Sequence, residues 1–306
     1  MDTRTFKSNL LLILAAIIWG FSFVAQRAGM EYVGPFTFNA VRFALGGIGL
    51  IPFLWLNRSR RINSGENHPA PMPKTFRFGS LLVGLILFTG SSFQQIGIVY
   101  TTAGKAGFIT GLYVIMVPIL GLFLGQQSDT RIWLGAALAT AGLYLLSITE
   151  TLTISLGDLL VLISALFWAG HVLVIGWLSS RTDPIELAFF QFLACSLLSF
   201  IAALLVETIT LWGIQKAIIA IFYAGFFSVG IGFTLQVIAQ RHAHPAHAAI
   251  ILSLETVFAA FGGWLILNEV LSHRAIAGCA LMLTGMIVSQ LNLKQENAQT
   301  PRSGSP

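Results

Sequence analysis

The chain has 306 residues, of which 56% are hydrophobic and 9% are charged, and its formal net charge is +5. An ordinary soluble domain carries about 25% charged residues, so a soluble globule is excluded. The positive balance does not point to nucleic acid either, because the basic residues lie scattered between apolar runs and form no aromatic-rich basic patch.

Apolar stretches of about 20 residues, enough to cross roughly 30 Å of hydrocarbon, follow one another from Leu10 to Leu291. Ten spans are predicted, over 8–27, 35–56, 77–99, 105–125, 131–149, 156–178, 184–206, 216–240, 246–268 and 272–292. The first follows Arg4 and Lys7 as a signal peptide would. It lacks a small-x-small cleavage site and is followed by further spans, so it reads as a retained helix. Pro35, Pro184 and Pro245 fall at helix starts, where a missing N–H costs nothing. Asp183 and Glu186 have the spacing of a capping box, and Asp158 falls in the first turn of the sixth span. Pro118, inside the fourth span, predicts a kink or gentle curvature. The polar, proline-rich stretch 57–76 reads as a cytoplasmic loop and 293–306 as a disordered cytoplasmic tail.

Charge placement predicts orientation. With the N-terminus inside, twelve of the 17 Lys and Arg residues lie on the inner side, Arg27, Lys105, Lys216 and Arg274 lie outside, and Arg42 is within a span. Cytoplasmic loops retain positive charge, so both termini are expected inside. Cys195 and Cys279 have no framework of paired spacing and read as buried thiols.

The second half repeats the first. An offset of 149 sets Trp19 on Trp168, Ser22 on His171, Pro35 on Pro184, Arg42 on Gln191 and Phe43 on Phe192. An offset of 142 sets Lys105 on His247, Leu112 on Leu254 and Tyr113 on Glu255, after which a slip of one sets Gly135 on Gly278 and Gly142 on Gly285. Each unit holds five spans, an odd number, so the second copy enters the membrane in the opposite sense. The expected fold is an all-α membrane protein of ten transmembrane helices in two inverted five-helix repeats, 1–150 and 151–292, with a site near the midplane.

Polar residues within the spans are candidates for that site. Glu255 lies about 15 Å into the ninth span at 1.5 Å per residue, where a carboxylate is costly unless it meets water, a partner or a proton. It is the candidate for substrate binding and for proton coupling; the alternative is a structural partner between helices. Arg42, about 10 Å into the second span, keeps its charge and needs an anion or carbonyls. Trp19, Ser22 and Gln26 share one face of the first span, and Ser164, Trp168 and His171 share one face of the sixth, like two walls of a cavity. Gln94, Gln95, Tyr113, Gln191 and Gln236 offer further hydrogen bonds, to a solute or between helices. Lys105 at the outer mouth and His247 near the inner surface mark two entrances, although Lys105 also has the reach to snorkel to headgroups. The spacing of His242, His244 and His247 invites a zinc reading, but Pro245 starts a helix among them and no cysteine is near, so no metal site is assigned.

The stretches AAIIWGFSFVAQRAG, FNAVRF, YTTAGKAGFITGLYVIMVPIL, GDLLVLISALFWAGHVL and ILSLETVFAAFGGWLILNEVLSHRAIAGCALMLTG resemble the EamA-type transporters of the drug/metabolite transporter superfamily. The resemblance covers about residues 10 to 290. It implies two inverted five-helix units, a central cavity, and movement of small metabolites or amino acids across the bacterial inner membrane, often outward. It specifies no single substrate. Where the family commonly has glutamate-proline, this chain has Glu255-Thr256, which removes the proline that would kink the ninth span.

The sequence therefore reads as a secondary transporter, with a small molecule and the lipid bilayer as partners and protons as a further candidate. No Walker motif is present, so ATP is not the driver, and no cofactor is implied. A membrane-embedded enzyme acting on lipid or isoprenoid substrates is the rival reading, but it needs clustered acids or a nucleophile with its base, and neither a D-x-x-x-D pair nor an H-E-x-x-H helix appears. A non-transporting helical scaffold is the third.

Overall fold

The computed structural model describes residues 3–63, 74–101, 103–147, 155–267 and 272–291. Residues 64–73 of the loop assigned to 57–76 and the tail at 293–306 lie outside the described residues. The first half consists of α1 (Thr3–Gly29), α2 (Pro35–Asn63), α3 (Lys74–Tyr100), α4 (Ala103–Gly111), α5 (Tyr113–Phe123) and α6 (Thr130–Ser147). The second consists of α7 (Leu156–Ser179), α8 (Pro184–Val206), α9 (Leu211–Lys216), α10 (Ile218–Phe222), a π-helix (Tyr223–Phe233), α11 (Thr234–Ala239), α12 (Pro245–Leu252), α13 (Glu255–Leu267) and α14 (His273–Gln290).

Among the described residues, eight helical segments are long and apolar enough to cross a membrane, and α14 contributes a shorter apolar helix. The exterior suits lipid: Phe123, Ile219 and Leu205 are 83%, 82% and 78% exposed, while Arg42, Gln95, Gln191 and Glu255 are buried. Polar groups turned inward and large apolar groups turned outward define a multi-span helical membrane protein.

Helix ends are set locally. Ser155 and Asp158 form a reciprocal capping box on α7, and Asp183 caps α8 by accepting from the Ile185 and Glu186 amides. Glu207, at the end of α8, reaches across to accept from the Phe36 and Thr37 amides at 2.8 Å each, joining α8 to the start of α2. α2 continues to Asn63, beyond the expected end of the second span, because NRSRRIN contains no helix breaker and the first glycine and proline come later.

Two spans are interrupted. The fourth breaks at Leu112, where Leu112 N bonds Ile109 O and Ile115 N bonds Leu112 O, both 3.2 Å, in tight three-residue turns. Pro118, the expected kink, instead lies inside α5. The segment predicted as the ninth span breaks at Ser253 and Leu254, so an interruption is present without the proline. The Ser253 hydroxyl donates to the Ile250 carbonyl at 2.9 Å, a local bond that competes with the helical ladder. The Thr256 hydroxyl donates to the Gly107 carbonyl at 3.2 Å and ties the resumed helix to α4.

Contacts between elements come in matched sets. α3 packs on α7 as α1 packs on the π-helix and α11; α3 packs on α8 as α2 packs on the π-helix; α1 packs on α13 as α7 packs on α4 and α5. α2 pairs with α8, and α6 with α14. Along the α6–α14 seam, a Cβ on Gly135 would lie 2.8 Å from the Gly285 carbonyl and one on Gly142 would lie 2.6 Å from the Gly278 carbonyl. The backbones touch there because only hydrogen lies between them.

Candidate substrate site

α1, α2, α7 and the segment from the π-helix to α11 surround one internal pocket, with the ends of α3 to α5 and the interruption before α13 completing it. Trp19, Ser22, Arg42, Tyr113, Trp168, His171, Gln236 and Glu255 line it. Gln26, Gln94, Thr110, Ser228 and Phe233 line it as well.

The apolar wall is built around Phe233. Its ring lies 4.6 Å from Trp19, 5.8 Å from Trp168 and 5.9 Å from His171, measured between centroids. Both indoles are held by hydrogen bonds: Trp19 Nε1 donates to the Ser228 carbonyl at 3.1 Å, and Trp168 Nε1 donates to Gln94 Oε1 at 3.0 Å. Gln94 in turn donates to Thr110 Oγ1 at 3.4 Å. Gly232 leaves room for Trp19, since a Cβ there would stand 2.6 Å from the indole nitrogen. The π-helix thus supplies a carbonyl and an empty Cβ position that together fix one wall.

Two opposite charges face this space. Arg42 is 3% exposed, with its guanidinium 4.9 Å from the Phe43 ring centroid and 5.6 Å from that of Phe38. Cation–π contact of this kind contributes about 0.5–2 kcal/mol, which does not offset the several kcal/mol that burial of an ion costs. Its Nε has no hydrogen-bond partner, and among the described residues it joins no ion pair. Glu255 is 4% exposed and its Oε1 is also without a partner. The Tyr113 hydroxyl lines the same pocket and, like Oε1, has no hydrogen-bond partner. The site is thus electrostatically unfinished at two points.

The remaining sequence candidates lie elsewhere. Gln191 stands behind the wall, its Oε1 2.9 Å from His171 Nε2, so it orients the imidazole and leaves Nδ1 unpartnered. Gln95 donates to the Gln26 carbonyl at 3.3 Å and is fully buried between helices. Ser164 bonds the Val161 carbonyl within its own helix. Lys105 is 39% exposed, with Nζ 3.7 Å from the Asp158 carboxylate, which also accepts from the Thr101 hydroxyl at 2.6 Å. The entrance lysine is therefore part of a cluster joining α7 to α3 and α4. His247 Nε2 lies 3.2 Å from Asn9 Oδ1, and its Nδ1 lies 3.2 Å from the Ser289 hydroxyl, which ties α12 to α1 and α14. Both cysteines are free, and no group of three His, Cys, Asp or Glu residues suited to a metal occurs among the described residues.

Phe233 and Thr110 were missed by sequence reasoning. Phe233 had a signal, since it stands three residues before Gln236 and so shares its face. Thr110 had none.

A multi-span helical protein with a polar and aromatic pocket among its helices has the build of a membrane carrier. The chain belongs to the EamA-like transporter family, whose model matches it twice, over residues 6–148 and 155–290. This is a family of transporters and not of enzymes, which sets aside the rival reading. An uncharacterized transporter of Archaeoglobus fulgidus is 33% identical over 290 residues, spanning 94% of this chain and 86% of its own. The uncharacterized transporter YoaV of Bacillus subtilis is 24% identical, spanning 92% and 96%. A WAT1-related chloroplastic protein of Arabidopsis thaliana is 24% identical, spanning 92% and 69%. A solved crystal structure, 20% identical, superposes with a TM-score of 0.73 over 93% of this chain and 98% of its own, and so shares the fold.

Proposed function

We propose that the chain is a secondary carrier that moves a small zwitterionic metabolite, an amino acid in the simplest case, across the plasma membrane by alternating access. The observation that carries this reading is the pair Arg42 and Glu255: opposite charges, both buried, both lining one pocket and neither neutralised by the protein. A solute with a carboxylate for Arg42 and an ammonium for Glu255 completes both. Trp19, Trp168 and Phe233 receive its apolar part, and Ser22, Tyr113, His171 and Gln236 border its polar groups.

The reading includes ten spans in two inverted units, 1–150 and 151–292, with both termini cytoplasmic. The matched helix contacts support it, as does the crosswise glycine seam. Gly135, repeat mate of Gly278, meets Gly285, whereas Gly142, repeat mate of Gly285, meets Gly278. A two-fold axis produces that exchange of partners. The interruptions at Leu112 and Leu254 are repeat mates too, and they supply hinges about which each half moves. Leu12, Val117, Ile175 and Ile251 belong to the same buried apolar cluster as Trp168 and Phe233 of the pocket wall. Towards the end of α1, Gln95 Nε2 donates to the Gln26 carbonyl at 3.3 Å. Outward movement is the direction that the family resemblance favours.

Glu255 is also the coupling residue in this reading. With no cation bound, a proton neutralises the carboxylate; the groups lining the pocket with it are Tyr113 from α5, Arg42 from α2 and His171 from α7. Proton and solute ammonium then compete for one site. Counterflow of a radiolabelled amino-acid mixture into proteoliposomes, with and without a pH gradient, tests this. Wild-type flux should respond to the gradient and the Glu255→Gln flux should not. Absence of counterflow for every zwitterion would reject the substrate class, and an unchanged gradient response in Glu255→Gln would reject the coupling role.

A further inference from the structure

Gln236 stands apart from the other amides of the pocket. It is 1% exposed, it lines the chamber, and neither its Oε1 nor its Nε2 has a hydrogen-bond partner. The amides beside it are engaged. Gln94 uses both ends, on Trp168 and Thr110, and Gln26 gives its Nε2 to the carbonyl and hydroxyl of Ser22. A buried amide with both ends open is costly unless water or a ligand answers it.

An amide offers one acceptor and one donor side by side in a plane. Its best complement carries a donor and an acceptor in the same arrangement. A carboxylate offers two acceptors and sets one against Oε1; an ammonium offers only donors and sets one against Nε2; an alkyl group answers neither. Gln236 also shares a helical face with Phe233, so a planar group resting on that ring presents its edge to the amide. Resting on the reading of the pocket as a zwitterion site, we propose that Gln236 determines side-chain specificity and selects a substrate whose side chain ends in a carboxamide.

The test uses the purified full-length protein and its tryptophan fluorescence, because Trp19 and Trp168 line the pocket. Glutamine, glutamate and norleucine share the zwitterionic backbone and differ at the group that meets Gln236. Wild type should bind glutamine about tenfold or more tightly than either of the others. Gln236→Leu should erase that preference, with no loss of thermal stability, since it removes two unsatisfied polar atoms. Three results overturn the proposal: no preference for glutamine in wild type, a preference that survives in Gln236→Leu, or an equal weakening of all three ligands in that variant. Wild type binding none of the three rejects the zwitterion site itself and the proposal with it, whereas binding of all three without preference rejects only the role of Gln236.

Discussion

Tyr113 and Glu255 each stand first in a helix that resumes after an interruption, and both face the same pocket. The relationship follows from repetition: residues equivalent by the repeat offset are brought to one chamber from opposite halves.

Tyr113→Phe separates a binding role for this hydroxyl from a structural one. The hydroxyl is buried without a partner, so its removal should leave the unfolding temperature unchanged or higher. Amino-acid affinity should fall about three- to tenfold, roughly 0.7–1.4 kcal/mol, because a hydroxyl that borders the bound solute is lost. A lower unfolding temperature with unaltered affinity would assign the hydroxyl to packing instead.

Much of this chamber was legible in the sequence. Trp19 and Trp168, and Ser22 and His171, were marked by falling on equivalent positions of two copies, and Arg42 and Glu255 by being ionisable where lipid surrounds the chain. What the sequence did not convey is depth. Helical periodicity gives the direction of Gln95 and Gln191 but not the neighbour that intercepts them, and both turned out to be bonded behind the wall. The break before Glu255 was hidden for a related reason. Proline is one cause of an interruption; a serine hydroxyl bonded to its own helix, with a threonine tying the next turn to α4, is another, and it leaves no sequence signal of comparable strength. The π-helix in YAGFFSVGIGF likewise depends on tertiary contacts, among them the Trp19 indole that binds its Ser228 carbonyl.

The α6–α14 seam makes a prediction about stability. A side chain at Gly142 meets the Gly278 carbonyl and Met282 at distances below 3 Å, so Gly142→Val should force the helices apart at a cost of about 1–3 kcal/mol. Thermal unfolding in detergent should drop by several degrees. Leu134→Val, at a 52% exposed position on the same helix, serves as the control and should be nearly silent. Equal behaviour of the two variants would remove the seam as a structural element.

Orientation can be read by labelling. In a background with Cys195 and Cys279 replaced by serine, an impermeant thiol reagent applied to intact cells should modify Ser155→Cys and spare Gly65→Cys. Permeabilisation should expose both. Modification of both in intact cells would contradict an odd number of spans between the two positions, and the inverted arrangement would fall with it.

The central claim is that Arg42 and Glu255 are the two poles of one zwitterion site, and the most direct measurement compares norleucine with pentylamine, which lacks the carboxylate, and hexanoate, which lacks the ammonium. Wild type should prefer norleucine to both by about tenfold or more, about 1.4 kcal/mol per pole at the least. Arg42→Gln should abolish the advantage over pentylamine, and Glu255→Gln the advantage over hexanoate. If both variants keep the wild-type order of the three ligands, the two charges are not the poles of the site.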